Sequence, residues 1–260
     1  MVQIPVCFVL MSRRRKVDYK KVFKAFVELT TDPNGNPPKV KKIMLDFEAA
    51  LWTALRDLMN SNEFVEVQLK GCLFHFCQAI FKYILFLGLK KEYFKDQGTM
   101  VICQHLMSLP LLPVEKIVAQ FERIEAECTA ATHNVTQLKS LAAYVRATWI
   151  SGRLWTHVDW CQHRQNVRTN NDVEGYHNGL NQRAQKGNRP FYGLVGNLKN
   201  EAISVGRKIV DIYQGDTTRK RKNEALVRHE NLVELWDMLA EERLTAQGLL
   251  ERASHKYVCK

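Results

Sequence analysis

Val40-Lys41-Lys42-Ile43-Met44-Leu45-Asp46-Phe47-Glu48 is the stretch on which the fold turns. Ile43, Met44 and Leu45 form a short apolar run, and an acid stands at its end. Read as a strand over 41–45, the run delivers Asp46 to its C-terminal tip. A buried strand rarely ends in an acid without use. The plain alternative is that Asp46 caps the helix that follows, and these residues alone leave both readings open. Glu48 reads as a first-turn residue that complements the helix dipole. Downstream, the pattern predicts a helix over Glu48–Leu58, a strand over Phe64–Lys70, a break at Gly71 and a helix running to Leu87. Upstream, Val2, Ile4, Val6, Phe8 and Leu10 alternate with further apolar residues, which predicts a strand over 2–11 buried on both faces. Asp18 then reads as the N-cap of a helix over Tyr19–Leu29, with Val22, Phe23, Phe26 and Leu29 as its core stripe. Asp32-Pro33-Asn34-Gly35-Asn36-Pro37-Pro38 is a turn. Strand and helix alternate throughout, so the expected class is α/β with parallel strands.

From about residue 89 to 165 the strand signals stop. Helix-length pieces cover Lys90–Asp96, Gly98–Ser108, Pro113–Glu127, Val135–Trp149 and Leu154–His163, an all-α block set into the α/β unit. A long amphipathic helix is expected over Phe191–Tyr213 and a last one near Glu230–Arg252.

The chain has 260 residues, 38 Lys+Arg against 27 Asp+Glu and a net charge of +11, which favours a polyanionic partner such as nucleic acid. Arg13-Arg14-Arg15-Lys16 and Arg219-Lys220-Arg221-Lys222 are the candidate phosphate contacts; solvated surface, or an import signal for the second run, is the plainer reading. The apolar start lacks a basic leader and runs straight into Arg13, so no secretory signal is expected. No uninterrupted apolar run reaches membrane-spanning length: Phe74–Leu89 is broken by Gln78 and Lys82. Seven scattered cysteines, an odd number, argue for reduced thiols rather than a disulfide framework.

A second acid stands in Arg168-Thr169-Asn170-Asn171-Asp172-Val173-Glu174-Gly175-Tyr176-His177-Asn178-Gly179-Leu180-Asn181. Val173, Tyr176 and Leu180 supply one modest apolar side. Glu174, His177 and Asn181 fall at i, i+3 and i+7, so they share another helix face. A surface helix explains one glutamate but not the amides and the histidine around it. An acid on a strand tip and an acid on a later helix can converge on divalent metal, and two-ion phosphoryl chemistry needs such carboxylates from separate elements. Gly71-Cys72-Leu73-Phe74-His75-Phe76-Cys77 offers a Cys-x-x-His pair, and Cys161-Gln162-His163 could complete a zinc site in principle. Neither pair has a ligand partner at the usual spacing, so zinc is not expected. The favoured reading is structural: Cys72 buried, and His75 orienting the active-site helix by hydrogen bonding, pointed towards the Glu174 helix.

Five blocks in order carry a specific resemblance: Leu45-Asp46-Phe47-Glu48-Ala49-Ala50; Gly71 to Ile80; Leu109-Pro110-Leu111-Leu112-Pro113; Tyr144 to Ile150; and Arg168 to His177. On these the chain resembles the transposase domain of Mutator-like elements, cut-and-paste DNA transposases. The resemblance covers roughly residues 1–200. It implies a ribonuclease H-like α/β core, incomplete at the N-terminus, with an all-α insertion before the last catalytic helix. Residues 1–88 would be the first part of the core, 89–165 the insertion, 166–214 the closing helices and 215–260 a basic helical tail. It makes Asp46 the second catalytic acid and Glu174 the third, both ligands of Mg²⁺ or Mn²⁺, with Cys72, His75, Asn170, Asn171 and His177 in support. It implies DNA as partner, no membrane and a nuclear location, with an oligomer open. The family's first aspartate and its DNA-binding finger are expected to be missing from these 260 residues. The two remaining acids should then bind Mg²⁺ weakly, and the chain should not cleave DNA. A non-catalytic DNA-binding or protein-interaction module is the alternative.

Overall fold

A computed structural model describes residues 4–61, 67–169, 175–176, 178–180, 182, 191–214 and 223–257. Two short strands, β1 (Lys42–Leu45) and β2 (Gln68–Gly71), pair in parallel in the register Lys42↔Gln68 to Leu45↔Gly71. The α/β expectation therefore holds for β1, the helix α2 (Ala49–Asn60), β2 and the helix α3 (Leu73–Phe86), in that order. Parallel strands need a crossover, and α2 supplies it. Trp52, Leu55 and Leu58 of α2 lie at i, i+3 and i+6 and close on Leu45, Val67 and Leu69 as a small core.

Upstream, α1 (Lys16–Thr30) starts earlier than the sequence suggests. Arg15 stands at the N-cap and Asp18 sits three residues inside, in a reciprocal capping box, so Asp18 is not itself the cap. Phe23 and Val27 pack against the small core, whereas Leu29 is 84% exposed, so the inward stripe is shifted from the one expected. The expected strand over 2–11 is not formed in residues 4–11, which have no regular structure, and Val6, Val9 and Leu10 are exposed. Apolar alternation is a weak prior for a strand, and these residues pair with neither β1 nor β2. Among the described residues the sheet has the two strands alone.

The larger core belongs to helices. These are α4 (Lys90–Lys95), α5 (Gln97–Ser108), α6 (Val114–Ala130), α7 (Val135–Val145) and α8 (His157–Trp160). Leu109–Leu111 forms a 3₁₀ turn after α5, and α7 runs on into a π turn at Arg146–Ile150. Gly152 lets the chain double back there: a Cβ on it would come within 2.1 Å of the Thr148 carbonyl oxygen. A long helix α9 (Phe191–Tyr213) matches the expected span, and α10 (Asn223–Ala240) and α11 (Ala246–Tyr257) end the chain.

Two expectations are corrected here. The single last helix is two, interrupted where Glu242 takes a left-handed backbone (φ 58°). The described part of the expected tail, residues 223–257, is also no appendage. Leu232, Trp236 and Leu239 of α10 and Leu249, Leu250 and Ala253 of α11 lie in the same core as α3 and α5–α7, and the Trp236 indole donates to the Leu111 carbonyl at 2.8 Å. Basic residues on the outer face of such helices hide an apolar stripe in any average over the segment. No helix among the described residues is long and apolar enough to cross a membrane.

Candidate functional site at the tip of β1

The strand tip is held from three sides. Its ladder continues one step past β2, where the Cys72 amide donates to the Leu45 carbonyl at 2.8 Å. The Asp46 carbonyl accepts from the Glu48 amide (2.9 Å) and from the Trp52 indole (2.8 Å), so the backbone beneath the carboxylate is fixed. Phe47 then turns inward. Its ring stands edge-on to Trp149 (4.6 Å between centroids) and Trp155 (5.4 Å) and stacks with Trp52 at 6.1 Å. Gly71 makes room for it: a Cβ there would fall 2.2 Å from the Phe47 ring.

With Phe47 turned inward, strand alternation turns Asp46 the other way, and its side chain is 49% exposed. His75 reaches it from the first turn of α3, with Nδ1 3.0 Å from Asp46 Oδ1. The structure thus joins two residues of the predicted site that are 29 positions apart. His75 serves the acid itself, a partner the sequence did not name. Cys72 is buried at the N-cap of α3, as expected. Tyr19, from α1, completes the wall by donating its hydroxyl to Glu48 Oε1 at 2.9 Å. Burial first, then the bond to Glu48 and the charges of Glu48 and Asp46, push the Tyr19 hydroxyl up to about 12, so it stays protonated and can only donate near neutrality. Glu48 accordingly occupies the N-cap of α2 and does more than face a helix dipole.

Glu174, Asn170, Asn171, His177 and the run Arg219–Lys222 lie outside the described residues. The chain leading to Glu174 is described up to Thr169, and it arrives at the site: the Leu73 amide, one residue past Cys72, donates to the Arg168 carbonyl at 2.8 Å. Arg168 is anchored in turn, its Nη1 2.9 Å from His229 Nδ1 and its guanidinium 6.0 Å over the Trp236 ring. Beyond the gap, Tyr176 stacks with Phe8 at 6.3 Å.

The described parts of the five resemblance blocks also meet. Phe47 of the first touches Phe76 of the second (6.4 Å), and Trp149 of the fourth lies against both, 4.7 Å from Phe76. The third block is reached through the loop after α8, where the Gln162 amide donates to the Pro110 carbonyl and the Cys161 thiol to the Leu112 carbonyl at 3.2 Å. Gln162 is the hinge of this arrangement, because its side-chain amide also donates to the Gly71 carbonyl at 2.6 Å.

That loop bears on zinc. Gln162 brings the Cys161–His163 pair towards the Cys72–His75 pair, but Cys161 is bonded to a carbonyl and burial raises its pKa, while His163 stands edge-on to Trp236 at 5.4 Å. Among the described residues there is no group of three His, Cys, Asp or Glu side chains that could hold a metal ion.

Of the expected DNA-contacting run, Arg15 is bound to Asp18 at 2.9 Å and Lys16 to Asp57 at 2.8 Å, so these two cations are engaged within the fold. Arg13 and Arg14 are exposed. Sequence reasoning missed Lys70, which is 4% exposed on β2 and donates to the Val158 (2.6 Å) and Cys161 (3.2 Å) carbonyls at the end of α8. Burial lowers its pKa. Strand alternation puts Lys70 on the face of the exposed Gln68, so no local signal marks it as buried.

Comparison of the chain with protein-family models, with curated proteins and with solved structures found no match.

Proposed function

We propose that this chain is a transposase-derived, ribonuclease H-like domain of the Mutator-like kind, with DNA as its partner, and that Asp46 and Glu174 form an acidic pair of its metal site. The observation that carries the reading is the bonded relay Leu45–Cys72 and Leu73–Arg168. It places the tip of β1, the Cys-x-x-His turn and the lead-in to Glu174 side by side, although they lie more than a hundred residues apart in the chain. Glu174 follows Arg168 by six residues, a reach of at most about 22 Å when fully extended.

The residues present fit part of what such a site requires. Asp46 offers a half-exposed carboxylate, the hard oxygen donor that Mg²⁺ or Mn²⁺ takes. When bound, such ions activate the attacking oxygen and stabilise the leaving one. The chain's own part is placement. His75 sets the orientation of the Asp46 carboxylate, Trp52 and the Glu48 amide fix its backbone, and Tyr19 holds Glu48 aside as a permanent donor. Two acids close together repel one another, and a pair of carboxylates without further ligands holds a divalent cation weakly.

The test is nicking of supercoiled DNA by the 260-residue chain with Mg²⁺ or Mn²⁺, run beside DNA binding across a salt series. The expected result is no cleavage, with log affinity falling linearly as log salt rises. Cleavage abolished by Glu174→Gln would show that another residue supplies the third ligand. No binding at low salt would remove DNA as the partner and leave a protein-interaction module.

A further inference from the structure

The helix α9 carries two apolar faces, and one of them is exposed. Glu201 and Val205, one turn apart, are buried at 8% and 6% exposure, so one side of the helix is already docked. On the other side Tyr192 is 86% exposed, Val195 42%, Ile203 50%, Ile209 36%, Val210 52% and Tyr213 88%. A helix that lies singly on a surface shows polar residues there. Here positions 192, 195, 199, 202, 206, 209 and 213 step by alternating threes and fours, the spacing of a helix–helix seam. Gly206 lies in this seam with open space around it: a Cβ there would meet nothing within 4 Å.

We propose that this face is the dimer interface of two copies of the chain, paired antiparallel about a two-fold axis at Ala202. Read backwards about that residue, the seam repeats its tyrosine, aliphatic and alanine levels to within one position, with Lys199 and Gly206 the one unlike pair. Reversal sets Tyr192 against Tyr213, Val195 against Ile209, Lys199 against Gly206 and Ala202 against itself. Small residues therefore meet at the centre, where backbones approach, and the tyrosines close the two ends. The aliphatic stem of Lys199 lies over the space left by Gly206, with its ammonium in water. An isologous contact needs this self-complementarity, and a partner of another kind would not require it. The area suffices as well. Two tyrosines and four aliphatic side chains at these exposures amount to about 600 Å² per copy and about 1,200 Å² for the pair, the lower bound for a specific, stable interface. The inference is independent of any DNA or metal chemistry at Asp46.

Sedimentation of the full chain from about 1 to 100 μM tests it, that range bracketing the affinity expected of an interface of this size. The expected result is a concentration-dependent dimer. Ala202→Glu, which sets two carboxylates face to face, should weaken it by at least about tenfold, one step of 1.4 kcal/mol. Lys199→Leu should tighten it. Both positions lie on the exposed face, so circular dichroism should stay unchanged, as should the melting temperature measured below the concentration at which the dimer forms. In a Cys7→Ser, Cys259→Ser background, Ala202→Cys should form a disulfide between copies. Tyr192→Cys should cross-link to a Tyr213→Cys partner and not to itself, which fixes the antiparallel sense. A monomer throughout the range overturns the proposal, as does a dimer indifferent to Ala202→Glu or one in which Tyr192→Cys links to itself.

Discussion

The two halves of this protein are built to different standards. The helical block closes on a deep core that runs from Leu73 to Ala253, with Phe121, Trp160, Trp236 and Leu250 all fully or almost fully buried. The α/β part has a core of six buried residues under a sheet of two four-residue strands, and α1 on its flank buries none of its residues completely. The candidate site stands on the thinner half and borrows rigidity from the thicker one. Phe47, the residue after Asp46, is wedged between Trp149 and Trp155; Lys70 and Gln162 clamp β2 to the end of α8; Arg168 is pinned by His229. The lesson is that a short sheet can hold an acid in place when its tip is nailed into a neighbouring helical core.

The comparison can be broken most violently at the wedge. Trp149→Ala removes a fully buried indole that touches Phe47, Phe76 and Trp155, and it should cost about 3–5 kcal/mol, read as a fall in the urea midpoint. Phe23→Ala on α1 should cost well under half as much, because its side chain is only partly buried against the small core. Equal losses would mean that the two halves share one core.

Acid should attack the helical block first. His105 on α5 is 4% exposed, and burial, aided by Arg123 and His255 and opposed by Glu251, depresses its pKa from 6.5 to about 4. The unfolded chain therefore binds the proton more readily. Stability is full above pH 6.5 and declines as pH falls towards 4, by up to about 3 kcal/mol. Half-buried His163 is shifted the same way, by burial first and then by Arg164. Melting followed from pH 7.5 to 4 should show this loss, and His105→Phe or His105→Leu should flatten most of it.

Gly71→Ala probes the seam between the halves. The added Cβ drives into a Phe47 ring that Trp149 and Trp155 hold in place, so a cost of about 1–3 kcal/mol is expected, with most of it recovered by adding Phe47→Leu. His75→Ala should be the mildest, about 1 kcal/mol or less, since the Asp46 carboxylate is half solvated. Its larger effect should fall on cation affinity at Asp46, measured by Mn²⁺ titration.

Much of this was legible in the chain. Ile43-Met44-Leu45-Asp46 and Gly71-Cys72 gave the strand tip and the helix start, because apolar period and glycine breaks are local signals. The span Phe191–Tyr213 was found to the residue for the same reason. The errors were tertiary. Residues 4–11 have strand composition but no strand beside them, which no local pattern reports. The stretch 215–260 is basic on average, and the average conceals Leu232, Trp236 and Leu239 at core spacing. At the site, Cys72 and His75 were picked out by their motif. The partner of His75 and the roles of Tyr19, Glu48 and Lys70 depend on contacts across 29 to 91 residues, which spacing along the chain does not encode.

The central claim is that Asp46 and Glu174 share one site. An experimental structure of the chain grown with Mn²⁺ measures this directly through the separation of the two carboxylates and the anomalous signal between them. The account predicts a separation within about 8 Å, which ions of the usual spacing can bridge, with Mn²⁺ at partial occupancy against Asp46. Carboxylates on opposite faces of the molecule, or Mn²⁺ bound only elsewhere, would contradict it.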